Sequence, residues 1–358
     1  MYDILIVGAG PAGLTAAIYG RRAGKSILLL EGSGFGGQIT LSPRVENYPG
    51  FPQISGNDLA DRLLSQALAL GTETDFRTVT ALDRLGNVFR VTSDDGGVTL
   101  AHTVIVAAGV HHRKLGLPNE DDLTGSGVSY CAVCDGAFFA GMPAAVVGGG
   151  STALQDALLL SDTCQTVHLI HRRSAFRAES QLVDRLKERQ NVVFHLDTVV
   201  QELLGAPELT GIRCANAVTG QTETLSVNGL FVAIGQEPQN AIFSHLIQTD
   251  EAGYLLTDDR MATATPGLFA AGDCRAKQVR QLTTAVSDGT IAALSACAYL
   301  NEQDAVRQTA SHTWWISIRR HRFFQNTTAV CRSCRRRFLR PGALLQIDNA
   351  CFSWYNNK

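Results

Sequence analysis

Cys131 and Cys134 carry the clearest chemistry in this chain. The CxxC spacing lets two sulfurs close a small disulfide, and nearby charge can lower one thiol pKa so that thiolate is available at neutral pH. Asp135 follows directly and is placed to give a proton to a departing thiolate, although a polar residue before Gly136 also suits a plain turn. The same spacing is half of a zinc site, which needs a second pair. The only other pair is Cys331/Cys334, near His321 and Cys351 in the C-terminal stretch. The nine cysteines fall into two pairs and singletons, unlike a secreted disulfide scaffold, so in a reducing compartment the first pair reads as a redox element.

Two glycine patterns offer phosphate cradles. Gly8, Gly10 and Gly13 make GxGxxG after an apolar run and before a small-residue helix, where backbone N–H groups and the helix dipole hold a pyrophosphate. Such a match also arises in an ordinary strand–helix turn, but Glu31 ends the next strand, where a carboxylate binds ribose hydroxyls. About 140 residues on, Gly148 and Gly150 repeat the pattern with Ala153 as the third small residue and Ser151 and Thr152 opening the helix. The strand after it ends on His171, Arg172 and Arg173, with Arg177 close behind, which suits a 2'-phosphate; the competing reading is a solvated basic turn. FAD is therefore expected at the first site and NADPH at the second.

The elements that position these residues are βαβ units. Residues 3–8 and 26–30 read as strands around a helix from Leu14 to Ala23, and residues 144–147 and 166–170 as strands around a helix ending at Ser161. Apolar runs at 103–107 and 230–234 close the two segments, and GLFAAGD at 267–273 is a late strand before a helix from Thr283 to Leu300. If that strand returns to the first unit, the second domain is an insertion. The expected fold class is α/β, with two Rossmann-like three-layer domains, the second inserted in the first. Apolar residues at 45%, charged residues at 18% and a formal net charge of −2 describe a globular protein with no electrostatic case for a nucleic-acid partner. No run approaches about 18 apolar residues, so no membrane span is expected and the cytoplasm is the default location. Residues 305–358 differ, with ten Lys or Arg against one acid and no clear helical period.

The chain resembles the bacterial-type, low-molecular-weight thioredoxin reductases of the pyridine nucleotide-disulfide oxidoreductase family. The likeness rests on GxGxxG with Glu31, GGQIT at 36–40, VENYPG at 45–50, CAVCDG at 131–136, GGGSTA at 148–153, HRRSAFR at 171–177, FAAGD at 269–273 and Arg280-Gln281, in that order across residues 1 to about 304. It implies an FAD domain of residues 1–115 and 247–304, an NADPH domain of 116–246 carrying the CxxC, and a homodimer. It also implies that Glu31, Gly37, Gln38, Asn47, Val79, Gly272, Asp273, Arg280 and Gln281 lie at FAD, Asp273 on the flavin side and Gln281 at the isoalloxazine. Cys134 would face the flavin and Cys131 would attack thioredoxin. Ser151 stands where relatives commonly carry Asp, and Gln155-Asp156 replaces two glutamates, differences on the nicotinamide side. The tail from 305 matches nothing in the family.

The expected reaction runs from NADPH through FAD and the Cys131/Cys134 disulfide to a protein disulfide. Its rival is a flavin-dependent disulfide reductase or dithiol oxidase served by ferredoxin, oxygen or a second flavin, against which the three arginines argue. From other classes, a flavin-binding redox sensor lacks a use for the intact CxxC, and a tail-driven nucleic-acid binder would show salt-dependent binding.

Overall fold

In a computed structural model, residues 1–327 are described, with side chains to 305. The first sheet is built around β1 (Tyr2–Val7), whose Ile4 and Ile6 face one core while Leu5 and Val7 face another. A parallel strand covered on both sides needs such an unbroken apolar run. Beside it lie β2 (Ile27–Glu31) and β3 (Glu73–Phe76) on one flank, and the antiparallel β4 (Val79–Leu85), β5 (Val88–Ser93) and β6 (Val98–Val106) on the other. Helix α1 (Pro11–Arg22) packs on one face and α2 (Gly56–Ala69) packs against it.

The chain then leaves through β7 (Val110–His112), a turn, α3 (Glu120–Leu123), β8 (Val128–Ser129) and the short α4 (Ala132–Asp135). The second parallel sheet centres on β9 (Pro143–Val147), followed by α5 (Ser151–Ser161), β10 (Thr166–Ile170), α6 (Ser180–Lys187) and β11 (Val192–His195). An antiparallel sheet of β12 (Thr198–Leu204), β13 (Gly211–Asn216) and β14 (Thr222–Leu225) covers its other face, and β15 (Gly229–Val232) pairs with both β9 and β8. Helices, parallel sheet and antiparallel sheet make the three layers expected.

The return crossing is β16 (Gln236–Pro238), which pairs antiparallel with β7, so both connections between the domains form one two-stranded ribbon. Phe243 already packs in the first core, and β17 (Leu268–Ala270) joins β6 in parallel, which makes the second domain an insertion. Helix α7 runs from Leu282 to Thr327. It thus continues past Leu300, the end expected from sequence, because no Gly or Pro stands between Gly289 and Pro341 to stop it. Cys331, Cys334 and Cys351, and the side chain of His321, lie outside the described residues, so the second redox or zinc reading gains no structural account.

Candidate active site

Both glycine turns have the same steric logic. Gly8 holds φ +102°, and a Cβ there would stand 2.4 Å from Ala107 O; one on Gly13 would stand 1.9 Å from Gly8 O. Gly10 differs, since a Cβ there would meet nothing within 4 Å. The first and third glycines are therefore dictated by the protein's own packing, while the second leaves open space in front of α1. That helix has no side-chain cap and no acid in its first turn, and Pro11 fills its first position, so its free N–H groups face that space. The second turn repeats this arrangement: Gly148 is confined by Ala233 O and Ala153 Cβ, Gly150 opens on empty space, and α5 is uncapped.

Glu31 is buried at the end of β2. Its Oε2 accepts from Ala9 N at 2.7 Å, and its Oε1 accepts from Ser33 N, Ser33 Oγ and Gly34 N at 2.7, 2.9 and 3.1 Å. Burial pushes its pKa up, but these donors outweigh it and hold the carboxyl below the usual range. Oε2 keeps acceptor capacity for a ribose hydroxyl. Gly37 packs its Cα face on Gly10, and Val79 opens β4 next to Thr78, which touches Gly32. Gln38 donates its amide to Val110 O, and Asn47 Nδ2 donates to Gln281 Oε1 at 3.4 Å. Arg280 lies 4.0 Å over the Tyr254 ring and donates to Asp273 O.

Asp273 follows Gly272 at the end of β17. Its Oδ1 lies 3.0 Å from Lys277 Nζ, an ionic contact without hydrogen-bond alignment, so this buried oxygen still lacks a directional donor. A hydroxyl-rich ligand fits that need. Lys277 also reaches Asp288 at 3.2 Å, and Asp288 Oδ2 accepts from Gly272 N at 3.1 Å and lies 3.8 Å from Arg275 Nε. The pattern in sequence showed Asp273 but not this four-charge cluster behind it; an Asp with a Lys four residues on was the available signal.

On the second domain, Arg172, Arg173 and Arg177 are exposed and form no ion pair among the described residues, leaving their guanidinium donors free for phosphate. Arg177 N donates to Gly149 O at 2.8 Å, tying their loop to the glycine turn. Ser151 and Thr152 are exposed at the start of α5. His171 differs from the expectation of a phosphate contact. It turns inward at 5% exposure, stacks on Phe176, and donates from Nε2 to Ala175 O at 3.1 Å. A Cβ on Gly149 would collide with its ring at 2.0 Å. Burial pushes its pKa down, and Arg177, Arg173 and Arg172 push the same way, so it packs as a neutral ring.

Cys131 and Cys134 form a disulfide across the first turn of α4, with Cα atoms 5.3 Å apart. Cys131 is half-buried, Cys134 exposed, and Cys134 N donates to Cys131 Sγ at 3.2 Å. Asp135 Oδ2 accepts from Ser129 Oγ at 2.6 Å, and its Oδ1 is buried without a partner. Burial raises its pKa, only partly opposed by Ser129. The remaining described cysteines, Cys164, Cys214, Cys274 and Cys297, are buried free thiols. Two further groups are not legible in the sequence motifs. Glu120, buried, accepts from Leu115 N, Gly116 N and the Tyr130 hydroxyl just before Cys131, and Tyr130 stacks on His112 of the ribbon at 5.1 Å. Asp156 on α5 has its pKa raised to about 6 by burial.

Residues 2–289 match the family model described as pyridine nucleotide-disulphide oxidoreductase, and the chain belongs to that family of oxidoreductases. Within it, the chain groups with the bacterial-type thioredoxin reductases. It is 44% identical over 296 residues to the thioredoxin reductase of Mycoplasma pneumoniae, covering 82% of this chain and 94% of that one. The crystal structure of thioredoxin reductase from Streptococcus pyogenes matches with TM-score 0.81 at 40% identity, covering 84% of this chain and 99% of the other. The Lactococcus lactis thioredoxin reductase structure, in its FR conformation, matches with TM-score 0.59 at 39% identity, covering 84% and 100%. As in that family, the cofactors are FAD and a pyridine nucleotide, NADPH. Among the described residues no helix is long and apolar enough to cross a membrane.

Proposed function

We propose that the protein is an NADPH-dependent thioredoxin-disulfide reductase. The observation that carries this reading is the Cys131–Cys134 disulfide beside a buried carboxyl, in one chain with two open dinucleotide cradles of opposite strand-end charge. Residues 1–115 and 247–304 would hold FAD through Gly10, Glu31, Gly37, Gln38, Asn47, Val79, Asp273, Arg280 and Gln281. Residues 116–246 would hold NADPH through Gly150, Ser151, Thr152 and the clamp of Arg172, Arg173 and Arg177. When bound, NADPH and FAD supply a hydride donor and a two-electron relay to the disulfide.

Exchange with the partner is carried out by the chain's own sulfurs. Cys131, as thiolate, attacks one sulfur of the partner disulfide; the mixed disulfide forms and one partner sulfur leaves with the electron pair. Cys134 then attacks Cys131 Sγ, the second partner sulfur leaves, and the Cys131–Cys134 bond is restored. Asp135, which burial keeps protonated to higher pH, gives its proton to a departing thiolate. The pair serves the flavin and the partner in separate steps, and the β7–β16 ribbon is the connection about which the inserted domain would turn. The reading includes thioredoxin as partner, a homodimer and a cytoplasmic location.

Anaerobic titration of the purified holoprotein tests it. Stoichiometric NADPH should bleach about one flavin per chain, and added thioredoxin should reoxidise it. A flavin that neither NADPH nor NADH bleaches would hand the protein to another electron donor.

A further inference from the structure

The loop between Ile39 and Ile54 is fastened at both ends on the first domain. Val45 and Ile54 exchange backbone hydrogen bonds at 2.7 and 3.0 Å, and Gly56 N donates to Ser42 O at 2.9 Å. Two successive side chains at its tip, Pro43 and Arg44, reach the inserted domain. Gly125 holds φ +81°, and a Cβ there would stand 3.1 Å from both Pro43 Cδ and Leu41 O, tighter than ordinary contact, so glycine favours this close approach of the loop. Arg44 places its guanidinium 4.6 Å from the centroid of the Phe138 ring while pairing with Glu46. Phe138 sits three residues beyond Asp135, on the turn that continues the disulfide helix. Its neighbour Phe139 is anchored inward, edge-on to Phe231 at 5.5 Å, which leaves Phe138 as the side chain of this turn that meets the first domain.

We propose that Pro43 and Arg44 form a releasable latch on the disulfide-bearing domain, with Arg44 the positioning residue whose contact with Phe138 sets how often the Cys131–Cys134 pair turns away from the flavin side. This rests on the function proposed above, in which the pair serves two places in turn. The physical case is that the contact is specific yet weak. A cation–π pair at an exposed site shifts an equilibrium by about twofold to fivefold, enough to bias an orientation without freezing it. Apart from Pro43 against Gly125, the latch buries little, so it can reform each cycle. The two solved relatives of nearly equal identity differ in overall superposition, TM-score 0.81 against 0.59, so the arrangement of matched parts varies within the group. A latch on the segment next to the sulfurs acts where such a difference would change their exposure.

The test uses full-length, FAD-loaded protein and the variants Arg44→Met, Arg44→Lys, Phe138→Leu and Arg44→Met with Phe138→Leu. Each is reduced with dithiothreitol under anaerobic conditions, pulsed with iodoacetamide, and the peptide containing Cys131 and Cys134 is quantified by mass spectrometry. Arg44→Met and Phe138→Leu should each raise alkylation of this pair about twofold to fivefold. Arg44→Lys, which keeps the cation, should stay near wild type, and the double variant should match the singles. In stopped flow, Arg44→Met should also speed flavin reduction by NADPH by a similar factor. Unchanged alkylation in Arg44→Met, or effects of the two single variants that multiply, would overturn the latch. Should Phe138→Leu fail to fold, Arg44→Met against Arg44→Lys decides alone. If NADPH bleaches no flavin even in wild type, the proposed function fails, and the alkylation arm still decides the latch.

Discussion

Lys277 carries more of the turn after β17 than its place in the sequence suggests. Its side chain is 8% exposed, and its ammonium stands between two carboxylates, 3.0 Å from Asp273 and 3.2 Å from Asp288, with Arg275 3.8 Å from Asp288. Lys277→Met keeps the stem and removes one charge, leaving two acids against one base. Stranding a buried charge costs about 3–5 kcal/mol. Here Asp288 retains Arg275 and Gly272 N, and Asp273 is 31% exposed and can draw water, which argues for the low end, about 3 kcal/mol. Urea unfolding at fixed excess FAD measures this, since ligand binding otherwise moves the midpoint. Asp288→Asn on the Lys277→Met background brings the cluster back to one acid and one base and should recover at least about 1 kcal/mol, because sites in one network do not add. A Lys277→Met loss below about 1 kcal/mol, or strict additivity with Asp288→Asn, would refute the view that this cluster holds Gly272 and Asp273 in place.

Arg172→Ser with Arg173→Ser should raise the Michaelis constant for NADPH by roughly 100-fold or more and leave NADH nearly unchanged, since each lost charge-assisted hydrogen bond is worth about 1.5–3 kcal/mol and at least two are lost; steady-state kinetics with both nucleotides would show it. Cys131→Ser and Cys134→Ser should each abolish thioredoxin reduction with FAD retained, and non-reducing gels should reveal a trapped mixed disulfide with Cys134→Ser only. Asp156 prefers its proton in the folded state, with its ordinary 3.8 raised to about 6. Its favourable contribution is therefore complete below pH 3.8 and disappears as pH rises through about 6, so ionised Asp156 opposes folding above that point. Asp156→Asn should add up to about 3 kcal/mol at pH 8 relative to its effect below pH 4, read from urea midpoints across pH.

Much of the site was legible because short-range sterics write it into the chain. Gly13 is demanded by Gly8 O and Gly148 in part by Ala153 five residues on, within their own turns, while Gly8 and Gly148 also meet Ala107 O and Ala233 O of adjacent segments, so the two candidate cradles show largely as local patterns. Glu31 and the Arg172/Arg173 pair stand at the same place in their units, the end of the second strand, and a βαβ unit brings that place to the glycine turn. Opposite charge at equivalent positions is what supports reading the two units as sites for different nucleotides. The inward turn of His171 was not legible because a basic run looks alike whether each member faces water or core; only the missing side chain of Gly149, over which its ring lies, tells them apart. The length of α7 was under-read for a related reason, since a basic stretch without periodicity gave no apolar face, yet it contained no Gly or Pro before Pro341 to stop a helix.

The unread contacts share one property, which is that their partners come from segments joined only by tertiary packing. Lys277 meets Asp288 because the turn after β17 folds back on the first turns of α7, and a Cβ on Gly289 would stand 2.1 Å from Ala12 O. That close approach presses α7 onto α1 and delivers Asp288 to Gly272. Arg44 meets Phe138 across two domains, and Tyr130 meets His112 across the ribbon. Chemistry held by one turn can be spelled in that turn, whereas chemistry that depends on how two domains face each other has no local spelling. The cradles are of the first kind and are built to hold still. The contacts around the Cys131–Cys134 segment are of the second kind, and their weak, exposed character at Arg44 is what a disulfide that must serve two places requires.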